Sequence, residues 1–140
     1  MVDVLELDEL WSFVGTKANQ RWLWIALCRR TRQVGAYFIG DRSAESCWFL
    51  WHWIPAPYRS CRTFSDFWEA YQTIFGTLAP DHQSVGKESG ATAHVERWNN
   101  TLRQRLARFV RKTLAFSKSE EYHEIALQLF LHAYNLQVIS

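Results

Sequence analysis

The chain has 140 residues, a formal net charge of +2 and 48% apolar residues, which suits one globular domain that buries roughly two-thirds of its unfolded surface. Its longest apolar run, Cys47 to Trp51, is far below the roughly 18 residues of a membrane span, and the acidic Asp3 spoils a signal-peptide reading. Cys28, Cys47 and Cys61 are odd in number and set among apolar neighbours, so they point neither to a disulfide framework nor to a Cys-x-x-Cys zinc site, and a reducing cytoplasm fits them.

Three strand-like runs come first, Val2 to Val14, Arg21 to Cys28 and Gln33 to Ile39, rich in β-branched and aromatic residues and separated by breaks short enough for antiparallel hairpins. Ser43 then reads as the N-cap of an amphipathic helix that carries Glu45 in its first turn and ends near Pro55. A fourth strand is expected over Ser60 to Ser65, a short helix over Asp66 to Phe75 and a fifth strand over His82 to Val85, an order that suggests a parallel strand–helix–strand unit. From Ala93 to Val110 the apolar residues Val95, Trp98, Leu102, Leu106 and Phe109 recur at three and four, which is one helical stripe. Ser117-Lys118-Ser119-Glu120 is a capping box opening a last helix, with a stripe of Tyr122, Ile125, Leu129, Ala133 and Leu136. The order βββαβαβαα predicts a five-stranded mixed sheet with helices packed on it.

The chemistry-bearing residues stand out against this background. Asp8 falls mid-strand in Leu5-Glu6-Leu7-Asp8-Glu9-Leu10-Trp11, where propensity disfavours an aspartate and burial of an unpaired carboxylate costs several kcal/mol. A cation or a cluster of donors should therefore lie nearby; the simpler partner is an arginine such as Arg21 or Arg42. Asp66 ends a strand and opens a helix pattern, so it serves either as a metal-binding carboxylate or as a plain N-cap. Glu96 shares a narrow stripe with Asn99, Asn100 and Arg103 at the edge of the apolar face; its simpler role is a first-turn interaction with the helix dipole. Two strand-borne aspartates and one helix-borne glutamate are acceptor-only oxygens of the kind that holds a pair of divalent ions around a phosphodiester. Glu9 and Asp41 are expected to be solvated or to cap.

Between Lys87 and Lys118 eight Lys or Arg face two acids, and charge left unpaired on that scale usually meets phosphate. The basic set on the long helix comprises Arg97, Arg103, Arg105, Arg108, Arg111 and Lys112. No base-reading motif accompanies it, so backbone contact with nucleic acid is what the sequence supports. His94 is expected to pack at the helix start, and the tryptophans and cysteines to lie mostly in the core.

The segments Leu5-Glu6-Leu7-Asp8-Glu9-Leu10-Trp11-Ser12-Phe13-Val14-Gly15, Ser65-Asp66-Phe67-Trp68-Glu69-Ala70-Tyr71 and His94-Val95-Glu96-Arg97-Trp98-Asn99-Asn100-Thr101-Leu102-Arg103-Gln104-Arg105, then Arg111-Lys112-Thr113-Leu114-Ala115-Phe116-Ser117-Lys118-Ser119, resemble the catalytic half of the insertion-sequence-one family of bacterial transposases. The resemblance spans essentially the whole chain and implies a single ribonuclease-H-like catalytic domain over residues 1–140. It also implies DDE chemistry, with Asp8, Asp66 and Glu96 on the three catalytic and metal-binding positions and two Mg²⁺ (or Mn²⁺) ions as cofactors. The reaction implied is cleavage of DNA at element ends followed by strand transfer into a target. Lys87, Asn99 and Arg103 match positions near the family's acidic site and are expected to contact DNA or to support the acidic residues, and Arg105, Arg108, Arg111 and Lys112 are expected to contact DNA. The family places a zinc-containing, helix-turn-helix recognition region before the first catalytic strand, absent here, so an upstream-frame DNA-recognition protein or domain is an expected partner, besides DNA and further copies of the chain. A bacterial cytoplasmic, nucleoid-associated location follows. Cys28 and Ser65 stand where the family more often has an aspartate and a threonine. Two other readings remain open: a catalytically inactive remnant that binds DNA or oligomerises, and a nuclease that hydrolyses RNA in hybrids.

Overall fold

The structure, a computed structural model, describes residues 3–13, 20–112, 128 and 131, with side chains at 3–11, 21–105, 128 and 131. The meander forms as expected: β1 (Val4–Phe13), β2 (Gln20–Cys28) and β3 (Val34–Gly40) pair antiparallel in sequence order. α1 (Ala44–Trp53) follows, capped by Ser43, whose side chain accepts from the Ser46 N–H at 3.3 Å. Next come β4 (Arg62–Ser65), α2 (Glu69–Leu78) and β5 (His82–Ser84), the expected parallel unit, and then α3 (Ala93–Lys112). The five strands make one mixed sheet in the order β3-β2-β1-β4-β5, with β4 parallel to both neighbours.

Alternation along the two central strands explains the layers. Leu5, Leu7, Trp24, Ala26 and Cys28 point to one face, where they bury Cys47, Leu50 and Ile54 of the α1 segment and Ala70, Tyr71 and Phe75 of α2. Leu10, Leu23, Ile25 and Leu27 point to the other, against Val95, Trp98 and Leu102 of α3. Three cysteines are buried and free, as expected of small hydrophobes.

Two differences from the sequence expectation have local causes. α2 begins at Glu69 rather than at Asp66, because the Asp66 side chain accepts the Trp68 N–H at 2.9 Å and ties its own backbone into a turn. The last helix, with its capping box and predicted stripe, lies outside the described residues except for Gln128 and Leu131, both helical; Leu131, off that stripe, is buried against the α3 residues. Among the described residues no helix is long and apolar enough to cross a membrane.

Candidate functional site

The site forms where the parallel ladder between β1 and β4 runs out. That ladder pairs Val4 with Arg62, Leu5 with Thr63 and Glu6 with Phe64. Continued by two residues, the same register brings Asp66, the first residue past β4, level with Asp8. β1 has no strand partner on that side beyond Glu6 among the described residues, so side chains from both of its faces can bend round the open edge. One ligand oxygen from each of Asp8, Glu9 and Asp66 lies within 4.8 Å of the others. Glu9 thus joins the two predicted aspartates.

Burial dominates the electrostatics of this cluster. Loss of solvation pushes the Asp8 carboxyl up to about 7, and the neighbouring charges of Glu9 and Asp66 add to the shift against the bonds from Glu9 N–H (2.9 Å) and Asn99 Nδ2 (2.7 Å). Glu9 is also raised, first by desolvation and then by Asp66. It is not the solvated or capping residue expected from sequence. The Arg42 guanidinium binds its Oε2 through Nε (3.1 Å) and Nη2 (3.0 Å), and the Tyr71 hydroxyl donates to its Oε1 at 2.9 Å. Arg42 is in turn clamped between Trp22 and Trp68, its guanidinium carbon 4.7 and 4.0 Å from their ring centroids. The simpler partner expected for Asp8, an arginine, therefore goes to Glu9 in the case of Arg42. Asp41 does act locally, accepting from the Ser43 N–H (3.1 Å) and from the hydroxyls of Ser43 and Ser46.

α3 is aimed at the cluster by a carboxylate that the sequence reading passed over. Glu6 is fully buried, two residues before Asp8 on the same face of β1, and its Oε1 accepts the free N–H groups of His94 (2.9 Å) and Val95 (3.1 Å) at the start of α3. Its Oε2 meets Arg29 Nε at 2.8 Å and His94 Nδ1 at 2.7 Å. This cap holds the helix so that Asn99 arrives over Asp8. The signal was present in the sequence, since Glu6 shares the apolar strand context of Asp8, but its partner lies 88 residues away.

Glu96 is one turn before Asn99 on α3, yet its Oε1 accepts from Thr92 Oγ1 at 3.1 Å and it is outside the trio that converges within 4.8 Å. Lys87 is exposed on a 3-10 turn spanning Lys87–Ser89, and Arg103 and Arg105 are exposed on α3. The side chains of Arg108, Arg111 and Lys112 lie outside the described residues, although their backbone belongs to α3. Behind Asp66, Ser65 Oγ donates to the Asp66 carbonyl (2.8 Å) and lies 3.1 Å from His82 Nε2, while His82 Nδ1 lies 2.8 Å from Thr63 Oγ1. Burial lowers His82 to about 4, so the ring is neutral and joins β5 to β4 through both hydroxyls.

The residues fit a hard divalent cation. All three converging side chains offer carboxylate oxygens, and these lie within 4.8 Å of one another, no more than about twice a metal–oxygen bond. Asn99 adds a second observation: with its Nδ2 given to Asp8, its buried Oδ1 has no hydrogen-bond partner among the described residues and is a further hard oxygen at the site.

Known proteins resemble this chain in sequence and in fold. A protein-family model described as IS1 transposase matches residues 1–137. The insertion element iso-IS1n protein InsB of Shigella dysenteriae is 42% identical over 132 residues, which cover 94% of this chain and 95% of that protein. The insertion element IS1 protein InsB of Shigella flexneri is 35% identical over 138 residues, 98% of this chain and 100% of that protein. Among solved structures, a chain of the simian T-cell lymphotropic virus intasome in complex with the PP2A regulatory subunit B56 gamma superposes with a TM-score of 0.68 at 16% identity. The superposition covers 89% of this chain and spans about half, 46%, of the intasome chain, and it supports the ribonuclease-H-like fold alone.

Proposed function

The chain belongs to the IS1 transposase family, and from that premise we propose that Asp8, Asp66 and Glu96 form a DDE site for metal-dependent DNA end cleavage and strand transfer. The observation that carries the proposal is the convergence of Asp8 and Asp66, 58 positions apart in a parallel register, at the open end of the β1–β4 ladder. Two divalent ions, Mg²⁺ or Mn²⁺, would supply Lewis acidity to the attacking and leaving oxygens of a phosphodiester.

The chain's own residues set up that chemistry. Asp8 and Asp66 present hard oxygens from the rigid strand end, and the Asn99 amide holds the Asp8 carboxylate in one orientation. Glu96 would complete the set from the same stripe of α3 as Asn99 once its carboxylate leaves Thr92. Glu9, paired with Arg42 and hydrogen-bonded by Tyr71, backs the cluster from the other face of the sheet. Arg103, Lys87 and the basic residues further along α3 supply contacts to the phosphates of element-end and target DNA. An upstream-frame recognition protein or domain and a second copy of the chain are the expected partners in cleaving two ends.

Incubation with supercoiled plasmid and Mn²⁺ or Mg²⁺ tests the reading, with conversion to open circles as the readout. Asp8→Asn, Asp66→Asn and Glu96→Gln should each lower the rate at least about 100-fold, the loss of roughly 3 kcal/mol of transition-state stabilisation. Nicking that survives chelation, or that Asp8→Asn leaves intact, would overturn it.

A further inference from the structure

We propose that the β2–β3 side of α3 carries a second anion site, a pocket for the phosphodiester backbone of a nucleic-acid strand, separate from the acidic cluster. A concavity of about 200 Å³ lies there, lined by Leu27, Trp98, His94, Thr101 and the three arginines Arg32, Arg97 and Arg105. Among the described residues no carboxylate lines it. It is small and shallow beside the roughly 300–1,000 Å³ clefts that enclose drug-sized organic ligands, and its polar groups suit an anion bound by its oxygens.

The helix geometry separates this pocket from the metal-ligand candidates. Arg97, Thr101 and Arg105 recur every four residues and share one face of α3, whereas Asn99, two residues from Arg97, is turned roughly 200° around the helix axis. The apolar stripe of Val95, Trp98 and Leu102 runs between the two polar edges and is packed on the sheet. One edge of α3 therefore overlooks Asp8, and the other overlooks the turn between β2 and β3.

The charge at that second edge is poised for an external partner. Arg97 and Arg105 are exposed and make no salt bridge among the described residues. Arg32 comes from the β2–β3 turn with a φ of 62°, a left-handed conformation that costs a non-glycine residue roughly 1–2 kcal/mol. The turn keeps that conformation by bonding the Arg32 N–H to the Cys28 carbonyl at 2.8 Å and the Arg32 side chain to the Arg29 carbonyl. His94 is anchored by Glu6 through Nδ1 and forms the wall next to the helix start. Forked guanidinium donors from two elements, over an apolar floor, match the oxygens of phosphate better than a point charge would. The inference rests on the reading of the chain as a protein that acts on DNA, and it adds a strand path that passes behind α3.

The test uses the full chain and a short fluorescein-labelled duplex, with anisotropy measured between about 50 and 200 mM salt. Each lost phosphate contact reduces the slope of log affinity against log salt by about 0.9. Arg97→Ala combined with Arg105→Ala should lower the slope by about two and the affinity at least tenfold, while Mn²⁺ binding stays as in the unmodified chain. Arg97→Lys combined with Arg105→Lys should restore the slope. An unchanged slope in the alanine pair, as expected if the pocket instead takes an acidic protein segment, overturns the proposal, and so does failure of the lysine pair to restore it. Sensitivity of the slope to Arg103→Ala but not to the alanine pair has the same meaning. None of these results bears on plasmid nicking in the Asp8→Asn protein, so the two readings fail separately.

Discussion

Asp8 is a carboxylate held up at about 7 by desolvation first and by Glu9 and Asp66 second. In the unfolded chain the same group has a value near 3.8. The folded state therefore binds the proton more tightly, and the stability that this contributes is complete below about pH 3.8 and is lost as pH rises through about 7. Above that range, with divalent ions chelated, Asp8 is a net burden. Asp8→Asn should then raise the stability of the chelated protein at pH 8 by on the order of 1–2 kcal/mol, a figure discounted for solvent access, and flatten the decline between pH 4 and 7. Urea denaturation at several pH values checks this. A variant less stable than the parent at pH 8 would mean that Asp8 has a compensating partner. Glu9 is the residue where sequence reasoning failed, because its neighbours Arg42 and Tyr71 arrive from later elements and no spacing announces them.

At the scale of elements, α3 is positioned by one buried group. Glu6 satisfies two orphan N–H groups at the helix start and pairs with Arg29 and His94 while itself fully buried. Removing one member of such a set leaves uncompensated buried donors and charge, which typically costs 3–5 kcal/mol. Glu6→Ala should therefore lower unfolding stability by about 3 kcal/mol, measured by chemical denaturation, and a change below about 0.5 kcal/mol would show that α3 is held by its apolar stripe alone. Of the stripe readable from its periodicity, Val95, Trp98 and Leu102 are buried as expected, while the side chains of Leu106 and Phe109 lie outside the described residues. The cap was not readable, since a glutamate in β1 and a histidine at the start of α3 carry no mutual signal in the chain order.

For the whole molecule, the proposed metal site would couple folding to cation binding at the acidic cluster. A cation that binds only the folded state adds about 2.7 kcal/mol at 100 times its Kd, here by relieving the repulsion among Asp8, Glu9 and Asp66. Saturating Mn²⁺ should raise the melting temperature of the chelated protein by several degrees, and Asp8→Asn should abolish the shift. Thermal unfolding with and without Mn²⁺ decides it; no shift in the unmodified chain would leave the cluster without a cation to hold. The same molecule turns a second basic edge, Arg32, Arg97 and Arg105, away from that cluster.

The amino-acid order alone determined the meander, the parallel unit around α2, the stripe of α3 and the anomaly of Asp8 and Asp66, because each of these is written in short-range periodicity or in a residue type at odds with its neighbours. Only the tertiary structure decided that Glu9 joins the aspartates, that Glu6 aims α3, and that Glu96 rests on Thr92. Those outcomes depend on strand register and on where a ladder ends, quantities set by contacts between residues tens of positions apart, for which a local pattern holds no record.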